Sequence, residues 1–215
     1  MIPAICYLTT SYLAPIQYYC KLYSFEKIVI EQHCNYIKQT YRNRCIIAGS
    51  NGPMSLSLPI EKSNEPKQFT KDVKLSEHGN WRHLHWNAIV SGYNSTPFFD
   101  YYKDDFRPFF EKKYSYLFDF NENLRILICK LLSIELDIIL SDFYKTDFSE
   151  NEYDFREMIH PKKTSDIDNL FSPVPYYQVF DSKYGFQPNL SIIDLLFNMG
   201  PESVIILQNS SILPL

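Results

Sequence analysis

Pro3-Ala4-Ile5-Cys6-Tyr7-Leu8, the turn Ser11-Tyr12-Leu13-Ala14-Pro15, the segment Ile16 to Tyr23 and the run Ile28-Val29-Ile30 together decide the fold of this chain. The first run is short and apolar, as a buried strand requires. Pro15 stands where a helix can begin, because its fixed φ and missing N–H cost nothing in a first turn. Ile16 to Tyr23 continues helically, and Ile28-Val29-Ile30 reads as a second strand. A strand-helix-strand unit of this length favours two parallel strands joined by a right-handed crossover. The expectation is an α/β protein with a Rossmann-like N-terminal sheet.

Further along, Arg44-Cys45-Ile46-Ile47, the turn Gly49-Ser50-Asn51-Gly52-Pro53 and Leu56-Ser57-Leu58 predict a hairpin. Glu61 to Lys74 is polar and reads as a loop ending in a short edge strand. From there helices dominate. Asn80 is expected to cap a helix from Trp81 to Tyr93, and Thr96-Pro97 to start another, with Thr as cap and Pro first in the helix. That helix carries Phe98, Tyr101, Tyr102, Phe106, Phe109 and Phe110 at helical spacing, which is what a packed core face needs. Asn121 to Ser133 predicts a third helix, Asp137-Ile138-Ile139-Leu140 a late strand, and Lys145 to Glu152 a polar connection. Ser191-Ile192-Ile193-Asp194 opens a last short helix that Gly200-Pro201 stops. We expect one α/β domain over residues 1–215, with a strand-rich, ligand-binding part over 1–75 and a mainly helical part over 76–215.

The second strand empties into Tyr36-Ile37-Lys38-Gln39-Thr40-Tyr41-Arg42-Asn43-Arg44, which sets Lys38, Arg42 and Arg44 within seven residues of a protein whose net charge is -4. Ligands of α/β proteins collect outside the carboxyl ends of strands. Guanidinium groups suit phosphate or carboxylate because they can offer two parallel hydrogen bonds. A small anionic ligand is therefore expected here, with Asn43 as a polar partner. The alternative is a set of solvated charges on a turn.

Composition narrows the classes. With 6 glycines, and no Gly-x-Gly-x-x-Gly or Gly-x-x-x-x-Gly-Lys pattern, the usual dinucleotide and P-loop signatures are absent. The 5 cysteines are odd in number and never two residues apart, which suits a reduced cytoplasmic chain. No apolar run reaches the ~20 residues of a membrane span. Mild acidity argues against nucleic acid. Phe 16, Tyr 17 and Trp 2 supply wide surfaces for core and pocket alike.

Other constellations have two readings each. His83 and His85 in Trp81-Arg82-His83-Leu84-His85-Trp86 are spaced i, i+2, on different helix faces, so no metal site is expected from them. Either is a structural histidine or a general acid or base. Asp194, three residues after Ser191, completes a capping-box pattern; otherwise it is a carboxylate orienting a lysine or histidine near the basic loop. His160-Pro161-Lys162-Lys163 offers a second cationic contact, and Tyr176-Tyr177-Gln178, in a segment of β character, an aromatic platform with a hydrogen-bonding amide. No Gly-x-Ser-x-Gly elbow supports a nucleophilic hydrolase.

Taken in order, Tyr12-Leu13 with Tyr18-Tyr19, Glu31, Tyr36-x-Lys38, Arg42-Asn43-Arg44, Trp81 with His85 and Tyr93, Pro97-Phe98-Phe99, Tyr177-Gln178 and Phe186-x-Pro188-x-Leu190-Ser191-Ile192-x-Asp194 through Gly200-Pro201 resemble the WbqC-like family. Family members often begin with Gln-Pro-x-Tyr-Leu-Pro-Trp-x-Gly-Tyr, where this chain has Thr9-Thr10-Ser11-Tyr12-Leu13-Ala14-Pro15-Ile16-Gln17-Tyr18. The resemblance implies a link to O-antigen and other surface-polysaccharide synthesis. The opening turn also looks like that of the HIGH-motif nucleotidyltransferase superfamily, with tyrosines where histidines would stand. Tyrosine near its ordinary pKa of ~10 is a poor proton shuttle at neutral pH.

The expected function is a cytoplasmic transferase for a nucleotide-activated or phosphorylated substrate of surface-glycan synthesis. Tyr12, Lys38, Arg42, Asn43, Arg44, Lys162, Tyr177 and Gln178 are expected to bind that substrate, and His85 or Asp194 to handle the proton. The sequence names no cofactor. A non-catalytic ligand-binding or scaffold protein of the same pathway is the alternative.

Overall fold

Short apolar runs with no alternation belong in a parallel sheet covered on both faces. The computed structural model, which describes residues 4–63, 67–162 and 168–212, places two such runs at the sheet centre. Strand β1 (Ile5–Thr9) pairs in parallel with β2 (Lys27–Glu31), Cys6 opposite Ile28 and Leu8 opposite Ile30. Helix α1 (Ile16–Ser24) joins them, and Pro15 precedes it in extended conformation as its cap residue. The hairpin forms as expected from β3 (Arg44–Ile47) and β4 (Met54–Ser57), as a separate two-stranded sheet. The polar stretch after it makes isolated bridges, Ile60 with Leu75 and Lys74 with Tyr116, rather than an edge strand.

Three helices follow: α2 (Trp81–Tyr93), α3 (Phe99–Glu111) and α4 (Leu117–Leu131). Asn80 makes no side-chain cap on α2 and adopts left-handed φ 49 and ψ 36. Thr96 turns its hydroxyl back to the Tyr93 carbonyl at 2.7 Å, so it closes α2 and leaves Phe98 to cap α3. The aromatic stripe of α3 is core at Tyr102, Phe106 and Phe110, but Tyr101 is 75% exposed and the neighbouring Phe99 is buried in its place. Helix α4 begins four residues before the expected Asn121, at Leu117, whose N–H bonds the Val73 carbonyl.

Strand β5 (Asp137–Leu140) pairs with β2, and β6 (Glu152–Asp154) pairs with β1 within the stretch expected to be a connection. The sheet order is β5-β2-β1-β6, every pair parallel. Both outer strands thus come from the second half of the chain.

After a one-turn helix α5 (Asp181–Tyr184), helix α6 (Ile192–Met199) is buried along nearly its whole length and packs on α1, α3 and α7 (Ser203–Ser210). Gly200, at φ 55, ends α6. The capping box at its start does not form: the Ser191 hydroxyl donates to the Leu13 carbonyl at 2.7 Å. Ile16 N–H to the Leu190 carbonyl (3.0 Å) and Ile192 N–H to the Ala14 carbonyl (2.9 Å) complete a clip between the turn after β1 and the start of α6. No β-strand includes Tyr176-Tyr177-Gln178.

Helix α2 lies against the backbone after β3. A Cβ on Gly92 would stand 2.6 Å from the Ala48 carbonyl oxygen, and the Ala48 N–H donates to the Tyr93 hydroxyl at 2.9 Å. Gly92→Ala is therefore expected to destabilise by about 1–3 kcal/mol in urea unfolding, although alanine is the better helix former by ~1 kcal/mol. A stabilised variant would mean that α2 does not approach residue 48 so closely.

Candidate functional site

Strands β1 and β6 end side by side, and the chain beyond each helps to wall a small cleft of about 10 Å³ that opens to solvent. Leu8, Thr9 and Ser11 come from β1 and its turn, Thr40 to Arg42 from the basic loop, Tyr18 from α1, and Phe155, Arg156, Ile159 and His160 from the chain after β6. The turn after β1 holds the basic loop directly. Tyr12 N–H and the Ser11 hydroxyl both donate to the Tyr41 carbonyl, at 2.8 and 3.2 Å. The Thr40 hydroxyl donates to the Ile37 carbonyl (3.0 Å) and accepts from the Arg42 N–H (3.3 Å), a local bonding pattern that curls the loop inward.

That curl separates the three cations. Arg42 is 2% exposed, its Nη2 donates to Glu157 Oε1 at 2.6 Å, and Asn121 Nδ2 donates to its carbonyl at 2.8 Å. Its Nε is buried and has no hydrogen-bond partner among the described residues. Arg44 begins β3 and donates to the Ser57 hydroxyl at 3.2 Å, while Lys38 is exposed and unpaired among the described residues. Asn43 donates to the Leu58 carbonyl at 3.2 Å. Of the residues expected to grip one anion together, the structure brings Arg42 alone into the cleft lining.

The cleft contains groups that spacing did not single out. Tyr18 is 3% exposed, and its hydroxyl has no partner among the described residues. Burial holds its pKa well above the ordinary value, with Glu122 pushing the same way and Arg125 opposing, so it stays a neutral donor. Arg156 grips Asp154 with two nitrogens at 2.8 Å each and reaches Glu31 at 3.3 Å, spanning the ends of β6 and β2. Lys162 is exposed and donates to Gln39, which ties the His160 segment to the basic loop. Lys163 lies outside the described residues. The signal for Arg156 and Glu157 was the charged run after Tyr153, but a three-residue strand bracketed by acids gives no period to read.

The remaining candidates lie elsewhere. Tyr12 and His85 form a buried pair: the Tyr12 hydroxyl sits 2.9 Å from His85 Nδ1, and the ring also bonds the Ser57 backbone. Burial drives the His85 pKa down to about 4, so the ring is neutral at pH 7. His83 is exposed and meets Asn87 at 2.8 Å. Asp194, fully buried, accepts from Tyr176 Oη at 2.5 Å and Gln178 Nε2 at 2.9 Å. Burial raises its pKa to about 6, against the lowering effect of the Tyr176, Gln178 and Tyr93 donors. Gln178 borders a second, apolar pocket of about 10 Å³ lined by Ala48, Phe180, Tyr184 and Leu190, and Tyr177 is 56% exposed. Neither His85 nor Asp194 lines the Arg42 cleft.

Among the described residues, no group of three or more His, Cys, Asp or Glu side chains is placed to hold a metal ion, and no helix is long and apolar enough to cross a membrane. The model of the WbqC-like protein family matches residues 10–160, which contain the cleft residues Tyr18, Arg42 and His160 and their partner Glu157. The chain belongs to the WbqC-like protein family. This WbqC-like chain is also 26% identical over 211 residues to the uncharacterized protein Rv1507c of Mycobacterium tuberculosis, covering 88% of the chain and 91% of that relative. No solved structure matches it.

Proposed function

We propose that this WbqC-like protein is a cytoplasmic transferase of cell-surface polysaccharide biosynthesis, and that the Arg42 cleft receives the phosphoryl part of a nucleotide-activated or phosphorylated substrate. One observation carries the reading. Two buried donors without partners among the described residues, Arg42 Nε and the Tyr18 hydroxyl, belong to residues lining one cleft at the carboxyl ends of β1 and β6. Orphaned buried donors cost about 1–3 kcal/mol each, a cost that an anion accepting from both removes. The strand order supports the Rossmann-like and nucleotidyltransferase-like reading. From β1 the sheet grows to β2 on one side and to β6 on the other, and ligands of open α/β sheets bind at such a reversal.

Within this proposal His160, which lines the cleft, is nearer the phosphoryl site than His85 or Asp194. The rival reading, a ligand-binding or scaffold protein of the same pathway, draws on a different observation. The carboxylates at the strand ends, Glu31 and Asp154, and Glu157 beside them, are all paired with arginine. A general base needs a free lone pair within reach of substrate.

A thermal-shift series with inorganic phosphate, nucleotides and sugar nucleotides tests the site. A ligand at 100 times its Kd adds ~2.7 kcal/mol, which raises the Tm of a chain this size by about 5–10 °C. Arg42→Ala is expected to weaken binding by about 1.5–3 kcal/mol, the worth of a charge-assisted hydrogen bond. Arg44→Ala should leave it unchanged. Equal loss in both variants, or in neither, would remove the phosphoryl site from this cleft. Turnover of a ligand found this way separates transferase from binding protein.

A further inference from the structure

Arg42 is buried at one end of its ion pair and its partner is not: Glu157 is 42% exposed, against 2% for the guanidinium. The contact is also one-sided. Nη2 serves Glu157 at 2.6 Å and Cys34 Sγ at 3.7 Å, while Nε serves nothing among the described residues. Arg–carboxylate pairs commonly use two parallel N–H donors, and this one uses a single nitrogen. We infer that Glu157 is a resident counter-ion of the cleft, which a phosphate displaces from Arg42, and that it makes the cleft select phosphate over carboxylate ligands. This inference rests on the phosphoryl reading of the cleft.

The selection follows from the charges already present. Arg156 is committed to Asp154 and Glu31, and Lys162 is directed to Gln39, so neither offers an unengaged cation to an incoming ligand. A carboxylate ligand that replaces Glu157 exchanges one carboxylate for another and gains no Coulomb energy. A carboxylate that binds beside Glu157 meets its repulsion across a buried guanidinium. A phosphate monoester carries about −1.5 to −2 charge and three acceptor oxygens. It can take Nη2 and fill Nε of Arg42. Glu157 can return to water because it is half-exposed, whereas Arg42 cannot. Specificity then arises as a difference of affinities, with the resident carboxylate as the repulsive element. In the free protein the same carboxylate prevents a buried cation from standing alone.

The test is calorimetric titration of the full chain, wild type, Glu157→Gln and Arg42→Ala, with inorganic phosphate and, in parallel, with acetate. Glu157→Gln is expected to bind phosphate about tenfold tighter and acetate tighter by a larger factor, so that the preference for phosphate narrows. Arg42→Ala should bind each anion at least about tenfold more weakly. If Arg42→Ala loses phosphate while Glu157→Gln binds both anions as the wild type does, or more weakly, the counter-ion role is overturned and the phosphoryl site survives. If Arg42→Ala binds phosphate as well as wild type, the site and the counter-ion role fall together. The same holds if no form binds phosphate. Should Glu157→Gln not fold, Glu157→Asp takes its place, since it draws the carboxylate back by one methylene. A smaller gain in phosphate affinity is then expected, and an unchanged affinity overturns the inference.

Discussion

Replacing Lys21 by methionine is expected to lower the unfolding free energy by about 3–5 kcal/mol, the usual loss when one member of a buried ion pair is removed. Lys21 is 1% exposed and Asp168 4%, with Nζ 2.7 Å from Oδ2. The ammonium also donates to the Leu170 carbonyl at 2.9 Å and stands 4.6 Å from the Phe155 ring centre. Burial lowers the Lys21 pKa, and Asp168 opposes that shift. Gln17 Nε2 and the Leu170 N–H still donate to Asp168 in the variant, at 2.8 and 3.0 Å, which places the expected loss towards the lower bound. The Tm should fall by about 6–20 °C, taking 2–4 °C per kcal/mol for a chain of this size. The double variant Lys21→Met/Asp168→Leu should recover most of the loss, because an apolar pair of similar volume does not bear the desolvation cost. A loss below about 1 kcal/mol in the single variant would show that Asp168 reaches water once the lysine is gone.

The consequence extends to the cleft. Lys21 and Tyr18 are three residues apart on α1 and so share a face. Asp168 bonds Gln17 and Lys21 of that same helix. Lys21 also packs on Phe155, which lines the cleft, so phosphate affinity should fall together with stability.

How much of this was legible in the sequence depended on whether a residue's neighbours in the chain are also its neighbours in space. Strands β1 and β2 and helix α1 could be read because an uninterrupted apolar run has few other places to go. Strand β6 could not: Glu152, Tyr153 and Asp154 are too few, and two of them are charged, because they end on Lys145 and Arg156. The boundaries of α3 and α4 moved for tertiary reasons. Thr96 spent its hydroxyl on the end of α2, and Val73 supplied an acceptor for the first N–H of α4. The basic loop lies at the carboxyl end of the sheet, and Arg42 is the one of its three cations that lines the cleft. Spacing alone could not show that Thr40 turns Arg42 inward while β3 takes Arg44. Ser191 and Asp194 fit a capping box by pattern, but each found a stronger partner outside the helix. Tyr18 was visible only as one of two adjacent tyrosines, because an unpartnered hydroxyl is a property of its surroundings.

The two buried titratable groups set aside by the cleft carry the other large prediction, a pair of opposing pH dependences. Burial holds Asp194 at about 6, above the ordinary 3.8, so the folded state binds its proton more tightly than the unfolded chain. Its contribution is therefore fully present below pH 3.8 and lost as pH rises through about 6, in all about 3 kcal/mol at 1.36 kcal/mol per pKa unit. His85 runs the other way. Its folded value of about 4 lies below the ordinary 6.5, so its contribution is present above 6.5 and lost as pH falls through about 4, again about 3 kcal/mol. Between pH 4 and 6.5 the two slopes have opposite sign and similar size, and in the wild type they largely cancel. Asp194→Asn, which keeps an oxygen to accept from Tyr176, unmasks the histidine. Relative to wild type, its unfolding free energy should rise by about 3 kcal/mol between pH 4 and pH 7. His85→Gln unmasks the aspartate, and its stability relative to wild type should fall over the same interval. Urea unfolding at half-unit pH steps reads both differences, and titrations common to all three proteins drop out of them. Curves parallel to wild type for Asp194→Asn would mean that the Tyr176, Gln178 and Tyr93 donors already hold the carboxylate charged throughout this range, with burial outweighed.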